Sequence, residues 1–403
     1  MKRIVISWVF LFVATLACRP NEPGFSLVPT GQDQNINQLE VQVATPLVNV
    51  DTAAQLLINY RAYDYKAQIW FDFLDFLNGS PLSVTLFIDG VQQANKTFFQ
   101  PDHPGVYTLQ AKAGELVSPP ISVTARAAQS YELVRLPVIL HYTSSANTAL
   151  MPITTLLRNV NRLYANQVST SDPNQANAYI EFYPADRDPD GNLLAQPGMN
   201  RLPFSDQPTD SASAIKADSI LRKWCIKKYI NVFVKLNWLR NTYPVGYSYV
   251  STPGVYTNRP ANGGFTCETY QSQYSGPAIM IDWENDPGIL AHELGHYLGL
   301  PHTFALGCSS TTNSSNLTIQ DTPRHVEERP VNGKKRDCRG TPFIASNIMD
   351  YYVQKTNFTM DQVGLMRNTI NNPVFLPLPS KLAGGRLQAV LSMPEVVCRR
   401  IVQ

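Results

Sequence analysis

The stretch HELGHYLGLPH, residues 292 to 302, holds three of the six histidines in this 403-residue chain. On a helix with 3.6 residues per turn, positions 292 and 296 lie on one face, so both imidazoles can reach a single ion. Zinc favours nitrogen ligands, and a catalytic zinc takes three protein ligands while one position stays open. His302 is the third candidate ligand if the helix ends and the chain reverses, and Gly299 supplies a residue tolerant of left-handed backbone three positions after His296. Glu293 follows the first ligand and projects toward the open position without binding the metal. Zinc lowers the pKa of a bound water to about 7. A carboxylate beside that water serves as general base and then returns the proton to the leaving amine. The bland alternative is that His292 and His296 merely cap an apolar helix, ILAHELGHYLGL.

The remaining histidines read differently. His141, in ILHY, is expected to be buried and satisfied, and His103 to lie on the surface. His325, in the loop after the motif, is a lesser candidate for touching substrate. Five cysteines follow Cys18: Cys225, Cys267, Cys308, Cys338 and Cys398. None has a CxxC spacing, so a cysteine metal site finds no support. Cys308 with Cys338 is the preferred bridge because both fall in one long loop; among the other three the sequence does not choose. With Lys+Arg at 33 against Asp+Glu at 31, no long-range field favours nucleic acid. The basic run GKKRDCRG, 333 to 340, reads as a solvated loop.

These residues need a framework, and the chain has the length for two or three units. It begins MKRIVISWVFLFVATLAC: two cations, an apolar run, then small residues before Cys18, the plan of a secretory signal. The TLAC ending resembles a bacterial lipobox, with Thr15 where Leu is usual, which implies a lipidated Cys18, a membrane anchor and a tether over 18–40; the alternative is cleavage near Ala17. From 41 to 127, alternating runs such as LSVTLFIDG and GVYTLQAKAG predict an all-β sandwich, and GVYTLQAKAGELVSPPISVTA resembles the final hairpin of immunoglobulin-like modules. From 128 to 376 the pattern changes. LVRLPVILHY is a strand, TALMPITTLLRNVNRLYANQ a helix, AYIEFYPA a strand, SASAIKADSILRKWCIKKY a second helix, and INVFVKLNW and AIMID further strands: an α+β domain. Residues 377–403 read as a tail.

The full HExxHxxGxxH motif resembles the metzincin clan of zinc endopeptidases, whose members carry a methionine turn beneath the metal. SNIMDYY, 346 to 352, fits it: Met349 would be the turn methionine, and Tyr351 matches the position of an oxyanion-stabilising tyrosine. Within the clan, HELGHYLGLPHTF, a following cysteine, DTP at 321 to 323, NIMDY and NFTMDQVGLM resemble the pappalysin (cytophagalysin) family. The resemblance implies a metzincin-type fold, a zinc cofactor, protein or peptide substrates, and edge pairing of extended substrate near the strand before the active-site helix. It also implies calcium sites, for which the acids between 303 and 345 are sparse: Asp321, Glu327, Glu328 and Asp337, with Asp321 read as structural. Lys355 lies where family members that prefer arginine carry an acid, so basic side chains after the scissile bond are expected to be disfavoured. No cysteine lies between Arg19 and Trp224, which argues against a cysteine switch. The leading expectation is an exported, lipid-anchored zinc endopeptidase on an immunoglobulin-like spacer. Its rival is a catalytically idle surface binding protein or adhesin that keeps the zinc fold.

Overall fold

The computed structural model describes residues 36–64, 69–75, 84–94, 98–142, 151–168, 170–202, 220, 223–234, 246–248, 278–281, 286–305, 307–308, 319–371, 376–377 and 380–381. Cys18, Cys267, Cys398 and most of the second expected helix lie outside this set. None of the described helices is long and apolar enough to cross a membrane.

Ten strands come first: β1 (Ile36–Val43), β2 (Leu47–Asn49), β3 (Ala54–Asp64), β4 (Ile69–Asp75), β5 (Thr85–Ile88), β6 (Val91–Gln93), β7 (Phe98–Phe99), β8 (Gly105–Ala113), β9 (Leu116–Val117) and β10 (Ile121–Arg126). They form two sheets, one ordered β1-β3-β4 and the other β2-β10-β8-β5-β6. The cause is visible in β8, where Tyr107, Leu109, Ala111 and Ala113 point inward and the residues between them outward, the period of two that buries one face. Those residues share a core with Leu39, Val41 and Leu56 of the other sheet, so the two sheets pack face to face. β1 begins at Ile36, inside the stretch read as tether, because the alternation of LEVQV already runs there.

The second unit is a mixed sheet flanked by helices. Its strands are β11 (Val134–Tyr142), β12 (Gln175–Ala176), β13 (Ile180–Pro184), β14 (Met199–Arg201), β15 (Ile230–Val234), β16 (Gly246–Ser248), β17 (Ile279–Ile281), β18 (Lys334–Arg336), β19 (Pro342–Ile344), β20 (Phe358–Thr359) and β21 (Ser380–Lys381). The main sheet runs β13-β11-β15-β17-β16, parallel except for β16, which pairs antiparallel with β17 at the edge. β15 is buried along its whole length, as a parallel strand covered on both faces must be. β21, within the stretch read as a tail, pairs with the start of β11.

Helix α1 (Ile153–Tyr164) buries Ile153, Leu156, Leu157, Val160, Leu163 and Tyr164, an apolar stripe at helical spacing that packs on this sheet. Helices α2 (Pro287–Tyr297) and α3 (Met360–Asn371) join the same core. Tyr164 donates to the Ala291 carbonyl at 3.1 Å, which ties α1 to α2.

The two units are docked. Asn49 donates to the carbonyls of Pro173 (backbone, 3.0 Å) and Gln175 (side chain, 3.0 Å), Asn174 to Leu47 O at 2.8 Å, and Arg339 to Val43 O at 2.7 Å. Arg126, at the end of β10, forks to Asp321 (2.8 Å) and Asp361 (2.7 Å). A cavity of about 460 Å³ remains between the units, lined by Val43, Phe98, Pro173, His325 and Phe343 among others.

Candidate active site

Helix α2 starts where Asp286 caps it, its carboxylate accepting from Gly288 N (2.7 Å) and Ile289 N (3.2 Å), with Pro287 in the first turn. It is buried from Leu290 to Tyr297. Gly299 ends it in the left-handed region at φ 96°, and Leu300 N closes back on Gly295 O at 3.0 Å. That reversal returns His302 to the helix face.

The three imidazoles converge. His302 Nε2 lies 3.3 Å from His292 Nε2 and 3.0 Å from His296 Nε2. Tetrahedral ligands at a zinc–nitrogen distance of about 2.0–2.1 Å stand roughly 3.3 Å apart, so the spacing fits. The tautomers fit too. Nδ1 of His292 donates to Ile348 O and Nδ1 of His296 to Leu300 O, both at 2.7 Å, which leaves each Nε2 as a lone pair aimed at the same point. Burial lowers all three from the usual value, His292 to about 2 and His296 and His302 to about 4, so they are neutral at pH 7, as metal ligation requires. Among the described residues this is the group of His, Cys, Asp or Glu side chains able to hold a metal.

Glu293 is 4% exposed, and its Oε2 has no hydrogen-bond partner. Burial pushes its carboxyl up to about 8 against the opposing charge of Lys355. Tyr351 is half-buried, its ring centroid 4.5 Å from that of His302 and 5.7 Å from that of His292. Met349 is fully buried beneath α2 at Gly295, where a Cβ would overlap Met349 Sδ. The three histidines are gathered as their spacing predicts, and Met349 and Tyr351, expected from the metzincin resemblance, lie beside them.

Other expectations turn out differently. Lys355 Nζ donates to the carbonyls of Ile348 (2.9 Å) and Asp350 and lies 3.2 Å from His292 Nδ1. The run GKKRDCRG is not wholly solvated, because Lys335 is buried and bonds Asp350 Oδ1 at 2.7 Å. His325 is 1% exposed, bonds Pro323 O at 2.8 Å and borders the cavity between the two units. His141 is buried as read, held between Asn231 and Asn200 at 2.9 Å each, while His103 is exposed beside Asp102. Arg126 and Asp361 N occupy Oδ2 of Asp321. Asp337 accepts from Arg339 and from Thr341 N. The Cys308–Cys338 disulfide is present, and Cys225 is also disulfide-bonded.

Sequence reading missed the amide pair that moors the methionine turn. Asn347 and Gln362 exchange hydrogen bonds at 2.8 and 3.0 Å, fixing the turn to α3. Both amides fall within NIMDY and NFTMDQVGLM, so position was the available signal.

Residues 214–371 match the peptidase M43 family model, described as pregnancy-associated plasma protein-A. This segment is similar to the pappalysin family. The matched segment contains His292, Glu293, His296, His302, Met349 and Tyr351. An extracellular metalloprotease of Aspergillus oryzae is 34% identical over 99 residues, which cover 23% of this chain and 30% of that protein. The chain thus matches under a third of that curated relative's length. Mature mirolysin of Tannerella forsythia, solved in complex with a cleaved peptide, aligns at a TM-score of 0.42 and 19% identity over 61% of this chain and 94% of its own. Promirolysin of Tannerella forsythia aligns at 0.43 and 20%, over 61% and 83%.

Proposed function

We propose that this chain is a zinc-dependent endopeptidase that is exported and acts on proteins or peptides outside the cytoplasm. The observation that carries the reading is the convergence of three Nε2 atoms, with Glu293, whose buried Oε2 has no hydrogen-bond partner, next in the chain to the first of them. His292, His296 and His302 would hold zinc, which when bound supplies a Lewis acid for the scissile carbonyl. Glu293 in its ionised form, which the charge of Lys355 favours, takes the proton of the attacking water and passes it to the leaving amine. Tyr351 keeps its phenolic proton, since burial and the charge of Glu293 push it up to about 12, and donates to the developing oxyanion. Met349 shapes the floor. Edge strand β16 has one strand neighbour among the described residues, and its other edge suits an extended peptide.

We assign the two-sheet unit an immunoglobulin-like role as a fixed support, with residues 18–40 as tether and a lipid on Cys18 as membrane anchor. Its docking hydrogen bonds favour a rigid mount over a loose spacer.

The test is cleavage of an unfolded protein by purified residues 19–403, with and without a zinc chelator, beside Glu293→Ala, which keeps the metal ligands. Chelator-sensitive cleavage that is absent in the variant is expected. Bound zinc with no cleavage would overturn the reading in favour of a scaffold that binds without turnover.

A further inference from the structure

The buried lysine of the basic run has no part in the chemistry above. Lys335, in the middle of β18, has a side chain that is 0% exposed. Its Nζ donates to Asp350 Oδ1 at 2.7 Å and to the Tyr351 carbonyl at 3.1 Å. The same Asp350 Oδ1 accepts from Tyr351 N at 2.7 Å. One ion pair therefore grips both backbone polar groups of Tyr351, its N–H through the carboxylate and its C=O through the ammonium.

Burying an ammonium is expensive, and an apolar side chain of similar size in its place is often neutral or stabilising. Stability alone gives β18 little reason to carry a lysine there. The neighbouring backbone supplies one. Tyr352, next in the chain, is a non-glycine residue in the left-handed region at φ 62°, a conformation that persists only where the surroundings dictate it. The carbonyl that Lys335 holds belongs to the peptide joining Tyr351 to Tyr352, so the ammonium fixes the plane that turns the chain there. Lys335 is itself held by pairing opposite Phe343 of β19, and Cys338, three residues on, is bridged to Cys308 in the loop that follows His302.

We infer that Lys335 is a positioning residue for Tyr351, holding the phenol against the zinc ligands through the Asp350 carboxylate and the Tyr351 carbonyl. The inference rests on the peptidase reading for its kinetic consequence and on geometry alone for the placement. Lys335 touches no substrate in this scheme.

The experiment places 3-fluorotyrosine at position 351 of the full chain and records its 19F resonance, with and without zinc, in the otherwise unaltered chain and in Lys335→Met. A single narrow line that broadens or splits in the folded variant is expected. In the unlabelled pair, kcat should fall on the order of tenfold or more while KM stays within about threefold and zinc content is unchanged. Should Lys335→Met not fold, Lys335→Gln, which keeps a polar group near the carboxylate, carries the same comparison. An unchanged line in a folded variant overturns the inference. A chain that cleaves nothing even before substitution overturns the peptidase reading instead, and the 19F line still decides whether Lys335 places Tyr351.

Discussion

Tyr351 is a proton donor at any pH the protein meets, because burial first and Glu293 second hold its phenol near 12. Tyr351→Phe is therefore expected to lower kcat by about 10²-fold, the scale of one oxyanion donor, with KM little changed, in steady-state assays on a fluorogenic peptide. The histidines give a second prediction. His292, His296, His302 and His141 all titrate below their unfolded value of about 6.5, the first to about 2 and the others to about 4, and burial is the leading cause for each. Between about pH 6.5 and 4 the unfolded chain binds protons that the folded chain refuses, so stability falls as pH falls through that window. Thermal melts of metal-free protein should show it; a melting temperature flat from pH 7 to 4.5 would contradict it. At this scale the gathering of the three histidines, Glu293 and Gly299 was legible because their relation is local spacing on one helix and one turn. Lys335 was not. Its partner lies 15 residues on, and a lysine in a basic run looks solvated until the fold closes over it.

Helix α2 couples the ligands to the floor through Gly295, whose missing side chain makes room for Met349. Gly295→Ala gains intrinsic helix propensity but forces the buried methionine aside, a net loss of about 1–3 kcal/mol if overpacking wins. A lower urea midpoint and weaker zinc retention in competition with a chelator would confirm that order; a rise in midpoint would show that Met349 simply rotates away. The longer elements were readable. α1 shows its stripe at helical spacing, β8 alternates, and β11 is an apolar run bounded by polar residues. Strands of two or three residues such as β12, β14 and β20 were not, since a period needs at least two repeats to be seen. They exist because a neighbour offers an edge, as β20 does to β12.

The two units meet through Arg126, which is a quarter exposed and bonds a fully buried Asp321. Burial and Asp361 push Asp321 up to about 6 although the guanidinium opposes them, so removing the cation leaves a buried acid with less to hold its charge. Arg126→Ala should cost up to about 3 kcal/mol, the low end for breaking a buried pair, and should show in calorimetry as a lower or divided transition. A single unshifted transition would mean that the joint carries no load. The existence of both units was legible from the change in periodicity near residue 130, but their docking was not, because it depends on partners 195 and 235 residues apart. That separation has a temporal meaning. As the chain emerges in order from a ribosome or a translocation pore, the two-sheet unit can close its core early, yet its arginine must wait for almost the whole second unit to follow. A chain halted before Asp361 would present an open seam beside β10, the first place a quality-control protease could enter.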